Sequence, residues 1–471
     1  MRVTFGTEGW RGIIAEEFTT ERLRMVTQAV AEHVLSLSTP TSSPTLAVGY
    51  DTRFLSGRFA RTVCEVLAGN GIAAVVSGTT VPTCAVSRYV VRHRLAAGVM
   101  ITASHNPGAY NGFKLKEAYG GSATTETVAS VERRLGRHPV KRVPFDDARR
   151  NRSIREADFL GPYLEGIRRF LDLRAIRRAP LRIVVDSMHG AGGTIIEELL
   201  RGGRCRVETL RAAPDPLFGG QAPEPIASHL TGLSRHVRRR RAHVGIANDG
   251  DADRLGIVSP NGTWLNPGQV MCMLLLHLVH ARGSRGAVVK TVSNTMMINR
   301  LTDALGLKLI EVPVGFKHIA KLMLEQDVLI GGEESGGIGM RGYLPERDGI
   351  VNGLMLAEAM AARKQTPAAM LRDLERRYGR WAYGRRDLTL RLEQVQRLFR
   401  RLEEAPPGSM GGVRVTGVNR LDGVKLIGRD ESWMLFRRSG TEPIVRLYAE
   451  TPSPRRLAAL LSLGMRLATR S

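Results

Sequence analysis

The tightest constraint on how this chain folds is a unit of strand, polar loop and helix that recurs three times within its 471 residues. In the first copy, Thr45–Tyr50 reads as a short buried strand, followed by Asp51-Thr52-Arg53 and Ser56-Gly57. Phe59, Val63, Val66 and Leu67 then fall at helical spacing before Gly69 and Gly71 close the unit. The second copy runs from Leu181–Val185 through Asp186–Gly193 to a helix over Ile195–Leu200. The third runs from Ala287–Val289 through Thr291–Thr295 to a helix over Met296–Leu305. Alternating strands and helices predict α/β domains with mixed, largely parallel sheets. Each copy leads into another apolar strand, and each of those strands delivers an unusual loop. Ala97–Ile101 ends in Thr102-Ala-Ser104-His105-Asn106-Pro107, and His243–Ala247 ends in Asn248-Asp249-Gly-Asp251-Ala-Asp253-Arg254. Val328–Ile330 ends in Gly331-Gly332-Glu333-Glu334-Ser335-Gly336-Gly337. Ligands bind beyond the carboxyl ends of such strands, so three related domains presenting three different loops outline one shared site.

The pattern changes after about residue 370. Leu388–Leu392 alternates as a half-exposed strand, Glu393–Leu402 reads as a helix, and Val413–Val418 and Val424–Leu426 read as short strands. The strand Trp433–Phe436 ends in Arg437-Arg438-Ser439-Gly440-Thr441-Glu442-Pro443. These features predict a smaller C-terminal α+β domain, with domain limits at 1–148, 156–256, 257–370 and 380–471 and a polar linker over Asp146–Arg155.

Composition narrows the function classes. No run of about 18 uncharged apolar residues exists, which predicts no membrane span, and Met1–Gly6 has no apolar signal segment. Cys64, Cys84, Cys205 and Cys272 lie far apart, and Cys64 and Cys272 sit in apolar helical patterns. Free buried thiols in a reducing cytoplasm are therefore expected. The net charge of +24 raises nucleic-acid binding. However, the densest run, Arg238–Arg241 with Arg235 nearby, has no helix-turn-helix, zinc finger or interleaved aromatics beside it, so it reads as a solvated basic face. A cationic excess also suits polyanionic small substrates.

Asp249, Asp251 and Asp253 converge on one hard cation if the backbone turns sharply, which Gly250 permits. An EF-hand is excluded, because Arg254 and Pro260 stand where its glycine and glutamate belong. Three like charges this close are unfavourable without a cation, and three oxygens leaving room for water or a phosphoryl oxygen suit Mg²⁺. Ser104 is a candidate nucleophile outside any G-x-S-x-G elbow; taken alone, its Ser-His-Asn-Pro setting fits a turn equally well. Lys114 has the chemistry to neutralise phosphoryl oxygens or move a proton, and equally suits a surface position. Arg437, Ser439, Gly440 and Thr441 offer a guanidinium, two hydroxyls and backbone N–H groups for a phosphate, with Arg446 adding charge; taken alone, the segment also fits an ordinary Ser-Gly turn. Glu333 and Ser335 suit vicinal sugar hydroxyls, and their loop alone equally fits a plain glycine turn.

Together with the opening Phe5-Gly6-Thr7-Glu8-Gly9-Trp10-Arg11-Gly12, the loops T-A-S-H-N-P, D-G-D-A-D-R, G-E-E-S-G-G and R-x-S-G-T-E-P resemble, in order, the α-D-phosphohexomutase superfamily of phosphoglucomutases and phosphomannomutases. The resemblance implies four domains around a central cleft: three related α/β domains and a C-terminal domain that closes on the substrate phosphate. It implies a phosphorylated Ser104, with Mg²⁺ held by that serine and the three aspartates. The phosphoserine would convert a hexose monophosphate into a bound 1,6-bisphosphate, which turns end for end before Ser104 recovers the other phosphoryl group. It also places Arg11, Lys114, Arg254 and Lys290 along the cleft, Glu333 and Ser335 on the sugar, and Arg437, Ser439 and Thr441 on the distal phosphate.

This sequence departs from the pattern in two places. Some relatives carry a His where this chain has Gly337, and a Gly-His pair where it has Gly315-Phe316 followed by Lys317, which is therefore a candidate for sugar or phosphate contact. His105 is expected to orient the serine loop rather than act as the base. The motifs favour glucose phosphate, with mannose phosphate second. The competing expectations are a phosphoglucosamine mutase and a phosphosugar-binding protein without turnover. A monomer or homodimer is expected, with small-molecule partners.

Overall fold

A computed structural model of the chain describes residues 3–6, 8–37, 43–438 and 444–469. Three mixed sheets share one strand order. In the first, Thr45–Tyr50 lies between Ala73–Ser77 and Ala97–Ile101, all parallel, and Tyr110–Glu117 returns antiparallel beside Ala97–Ile101. In the second, Arg182–Asp186 lies between Arg206–Leu210 and Val244–Asn248, and Leu255–Val258 returns antiparallel. In the third, Ala287–Thr291 lies between Leu309–Val312 and Val328–Gly332, and Ile338–Met340 returns antiparallel. The three chemically distinct loops thus fill one equivalent place in each sheet, between the third strand and its antiparallel return.

The helices form where the sequence supplies one apolar face and defined ends. Ser56–Gly69 buries Phe59, Val63, Cys64, Val66 and Leu67, and Met296–Leu305 is capped by the Thr295 hydroxyl and stopped by Gly306 in the left-handed conformation. Pro267–His280 starts with an Asn266–Gln269 capping box and is buried on nearly every face. One buried cluster runs from Val86 and Tyr89 through Tyr163 and Ile183 to Cys272, Leu301 and Leu354 and so links the first three domains, while the first domain keeps a second core around Phe18, Phe59 and Phe113.

Several elements lie across the expected domain limits. The stretch expected to be a linker holds nearly all of the short helix Phe145–Arg150 and the first half of the strand Ile154–Ala157, which pairs in parallel with Ala73–Ser77 and extends the first sheet. The second sheet continues past residue 256, because Trp264–Leu265 pairs with Leu255–Val258. The helix Pro367–Tyr378 packs with the third domain.

The C-terminal domain is a six-stranded antiparallel sheet with the helices Leu392–Glu404 and Pro454–Thr469. Its first strand begins earlier than expected, at Ala382, and stops at Thr389; Leu392 already opens the helix. This domain has a separate core around Leu398, Phe436 and Leu447, and a small apolar seam of Val292, Trp433, Leu435 and Tyr448 joins it to the third domain. All four cysteines are buried and free. Among the described residues no helix is long and apolar enough to cross a membrane.

Candidate active site

Ser104 follows the strand Ala97–Ile101, is fully buried, and holds a left-handed φ of 53°, a conformation costly for a residue with a Cβ. Its neighbours impose that conformation. The Ser104 N–H donates to Thr102 Oγ1 at 2.8 Å, while Thr102 Oγ1 donates to Asp51 Oδ2 at 2.6 Å. Arg53, buried and paired with Asp51 at 3.1 Å, donates to the carbonyls of Ser104, Asn106, Pro107 and Tyr110. The Asp51-Thr52-Arg53 segment at the end of one strand therefore clamps the loop that leaves the next. The sequence presents that triplet plainly, yet its clamping role depends on carbonyls 51 to 57 residues away.

The Ser104 hydroxyl donates to Asp249 Oδ2 at 2.7 Å. Gly250 lets the two loops approach this closely, since a Cβ there would lie 2.5 Å from the Ser104 carbonyl oxygen. Asp249, Asp251 and Asp253 are fully buried, and one oxygen from each can gather within 4.8 Å of the others. Burial, then Asp253 and Asp251, pushes the Asp249 carboxyl up to about 8. Oδ1 of Asp251 and Oδ1 of Asp253 are buried with no hydrogen-bond partner. Crowded carboxylates with orphaned oxygens beside a serine hydroxyl fit a divalent cation with oxygen ligands.

Lys114, on the returning strand, donates to Asp251 Oδ2 at 2.6 Å and Asp253 Oδ2 at 2.8 Å. Burial would lower its pKa, but these carboxylates outweigh burial and hold it charged. The Trp10–Ile13 strand pairs with the same returning strand and brings in the opening motif, so that Arg11 Nη1 donates to Asn106 Oδ1 at 2.7 Å. Arg254 lies 3.9 Å from Asp249 and 4.0 Å from Asp253. His105 is half-buried, and burial together with the charges of Arg254 and Arg11 keeps its imidazole neutral. Glu333, in the third loop, is pushed up to about 7, chiefly by burial and against the pull of Arg347. Ser335 stands half-buried two residues on. Ser104, His105, Lys114, Arg11, the three aspartates, Arg254 and Glu333 thus gather from three domains.

Two further groups in this gathering were not singled out from sequence. Glu8 pairs with Lys114 and Arg347, which outweigh burial and hold its carboxyl at about 2. Arg347 is buried against Glu8, Asp253 and Glu333.

The remaining predicted residues lie toward the C-terminal domain. Lys290 departs from the expected cleft position. Its amine turns inward, donating to Asn299 Oδ1 at 2.6 Å and to the carbonyls of Asn294 and Thr295, with Glu311 at 3.5 Å. A buried ammonium needs that many acceptors. Arg437 pairs with Asp422 at 2.7 Å and sits opposite Arg446 on the neighbouring strand, so both guanidinium groups start from one face of the sheet. Lys317, Lys321, Asp422 and Arg437 surround His318 near the start of the helix Phe316–Glu325. Ser439, Gly440 and Thr441 lie outside the described residues. In the basic run, Arg240 pairs with Glu208 at 3.0 Å on an exposed helix end.

Family models described as phosphoglucomutase/phosphomannomutase alpha/beta/alpha domains I, II and III match residues 2–139, 161–262 and 266–378. A phosphoglucomutase/phosphomannomutase of Thermococcus kodakarensis is 29% identical over 98% of this chain and 98% of its own length. A protein of Methanothermobacter thermautotrophicus, provisionally named a phosphoglucosamine mutase, is 30% identical over 95% of this chain and 93% of its own. The crystal structure of a provisionally named phosphomannomutase from Thermus thermophilus superposes with a TM-score of 0.86 at 36% identity, covering 100% of this chain and 99% of that one.

Proposed function

This chain belongs to the phosphoglucomutase/phosphomannomutase family of mutases, and from that premise we propose that it interconverts hexose 1-phosphate and hexose 6-phosphate, glucose first and mannose second, with Ser104 as the phosphoryl carrier. The observation that carries this reading is the Ser104 hydroxyl at 2.7 Å from Asp249 within a buried group of three aspartates.

Ser104 Oγ, Asp249, Asp251 and Asp253 would hold Mg²⁺, which supplies charge stabilisation to phosphoryl oxygens when bound. The phosphorylated Ser104 gives its phosphoryl group to the free C1 or C6 hydroxyl of the bound monophosphate. The P–Oγ bond breaks as the new P–O bond forms, and the proton lost by the acceptor hydroxyl ends on Ser104 Oγ, which returns to a free hydroxyl. The resulting 1,6-bisphosphate turns around, and Ser104 Oγ then takes the other phosphoryl group. Lys114, Arg254 and Arg11 place fixed positive charge around the transferring group in a site already shielded from water. Glu333 and Ser335 grip sugar hydroxyls, while Lys317, Arg437 and Arg446, with Ser439, Gly440 and Thr441, hold the distal phosphate. His105, neutral and beside Ser104, orients the serine loop. Four buried free thiols suit a reducing cytoplasm.

The test is coupled turnover of glucose 1-phosphate, mannose 1-phosphate and glucosamine 1-phosphate with Mg²⁺ and catalytic glucose 1,6-bisphosphate, beside Ser104→Ala. Activity on glucose or mannose phosphate that disappears in the variant supports the relay. A clear preference for glucosamine phosphate would move the assignment to the activity for which the Methanothermobacter relative is named. Silence on all three sugars would remove the proposed substrates, and full activity of Ser104→Ala would remove the mechanism.

A further inference from the structure

Three consecutive charged residues, Glu346, Arg347 and Asp348, are all buried, and each reaches a different part of the molecule. Glu346 pairs with Lys116 of the first sheet, and Asp348 accepts hydrogen bonds from Tyr163 at 3.0 Å and Tyr343 at 3.1 Å. Asp348 also caps the helix Gly349–Arg363. The Arg347 backbone is pinned as well, because its carbonyl accepts from the Cys84 thiol and its N–H donates to Glu346 Oε1 at 3.0 Å. A side chain anchored at both flanks has little freedom to be anywhere else.

The Arg347 guanidinium binds Glu333 through Nη1 at 3.0 Å, Asp253 through Nη2, and Glu8 through both. It lies 5.6 Å from the Phe316 ring centre. Its stem fills the space over Gly337, where an added Cβ would come within 2.1 Å of Arg347 Cδ. One planar fork therefore ties a carboxylate of the sugar loop to one of the aspartate loop and one of the opening motif. Gly337 and Phe316, the two departures from the relatives' pattern, are the positions that make room for the stem and face the head. Lys has the charge but not the fork, and cannot span three carboxylates.

Resting on the mutase reading above, we propose that Arg347 is a positioning and specificity residue that fixes the Glu333 carboxylate relative to the phosphoryl-transfer loop. It thereby sets which sugar hydroxyl arrangement is held in line. A buried carboxylate left to itself would take other rotamers; the two-pronged grip of the guanidinium removes that freedom.

The test is a cycle of Arg347→Lys, Glu333→Gln and the double variant, with kcat and KM measured on glucose 1-phosphate and mannose 1-phosphate and thermal unfolding recorded alongside. Arg347→Lys is expected to raise KM about tenfold, as loss of an outer-layer orienting group does, with a smaller fall in kcat and an altered glucose-to-mannose ratio. The double variant should be no worse than Glu333→Gln, because the effect passes through that carboxylate. Gly337→Ala, which pushes Arg347 aside without removing its charge, should reproduce the KM rise. Effects of the two variants that multiply, or an unchanged KM in Arg347→Lys, would overturn the proposal. So would loss of folding in both Arg347→Lys and Gly337→Ala, which would make Arg347 a structural residue only. A wild type silent on every hexose phosphate fails the mutase reading itself, whereas an active wild type with multiplying effects fails this inference alone.

Discussion

The two ends of the candidate site are held by opposite means. Where the first three domains meet, five carboxyl groups (Glu8, Asp249, Asp251, Asp253 and Glu333) face Lys114, Arg254, Arg11 and Arg347, and a shared apolar core runs beneath them. Where the C-terminal domain joins, the links among the described residues are an apolar seam around Trp433 and a few polar contacts. Lys425 donates to the Val292 carbonyl at 2.7 Å, Met296 N–H to Glu450 at 2.7 Å, Asn419 to Glu311 at 3.0 Å, and Val314 N–H to Asp422 at 2.9 Å. The difference teaches that the end proposed to transfer the phosphoryl group is locked by buried charge, while the end proposed to grip phosphate rests on a thinner contact. Buried ion networks lose heavily when one partner leaves, whereas a thin seam opens at small cost.

The largest effect expected on this contrast comes from the cation. Removing Mg²⁺ with EDTA should cut turnover by roughly three orders of magnitude or more, the contribution of a Lewis acid worth several kcal/mol. Full turnover in EDTA would break the reading of the aspartate group. Arg53→Ala comes next. It orphans four loop carbonyls and leaves Asp51 buried without its cation, so about 3–5 kcal/mol of stability should be lost with most of the activity. Denaturant unfolding within 1 kcal/mol of wild type would show that the serine loop holds itself.

Changing pH should move the two ends in opposite directions. Asp249 has a folded pKa of about 8, above its ordinary 3.8, so the folded metal-free protein holds the extra proton between those values. Stability from this group is therefore lost as pH rises through that window, and the stabilisation by added Mg²⁺ should grow over the same range. Burial, then Lys290, lowers Lys425 to about 7 from 10.5, so there the unfolded chain holds the extra proton and the seam should tighten as pH rises from about 7. Hydrogen exchange in Trp433–Arg438 at pH 7 and pH 9, beside melting curves with and without Mg²⁺, reads both signs. Seam protection that falls with pH would remove the contrast. The smallest effect belongs to Arg300→Ala. Its pair with Glu431 across the seam is nearly half exposed on both sides, and its loss should cost under about 0.5 kcal/mol.

The strand skeleton was legible because its periods are local. Thr45–Tyr50 and Ala97–Ile101 run over the residues their apolar runs suggest, and the three loops follow from them. The returning strand Tyr110–Glu117 was not legible, since Lys114 and Lys116 look like solvent residues until their partners, Asp251 and Glu346, arrive from 137 and 230 residues away. Arg347 was hidden for the same reason: a charge among charges in sequence acquires meaning only from the three carboxylates it faces. Lys290 shows the converse. It follows an apolar run as a cleft residue would, but nothing nearby announces that Asn299 and Glu311 turn its amine inward.

The common strand order of the three sheets has a consequence for descent. Because each loop occupies the same slot in a repeated unit, each slot can change in sequence without altering the strands that carry the others. The slot between Gly332 and Ile338 holds only five residues, so on the proposed reading a handful of codons there can change the sugar while the other two loops stay as they are.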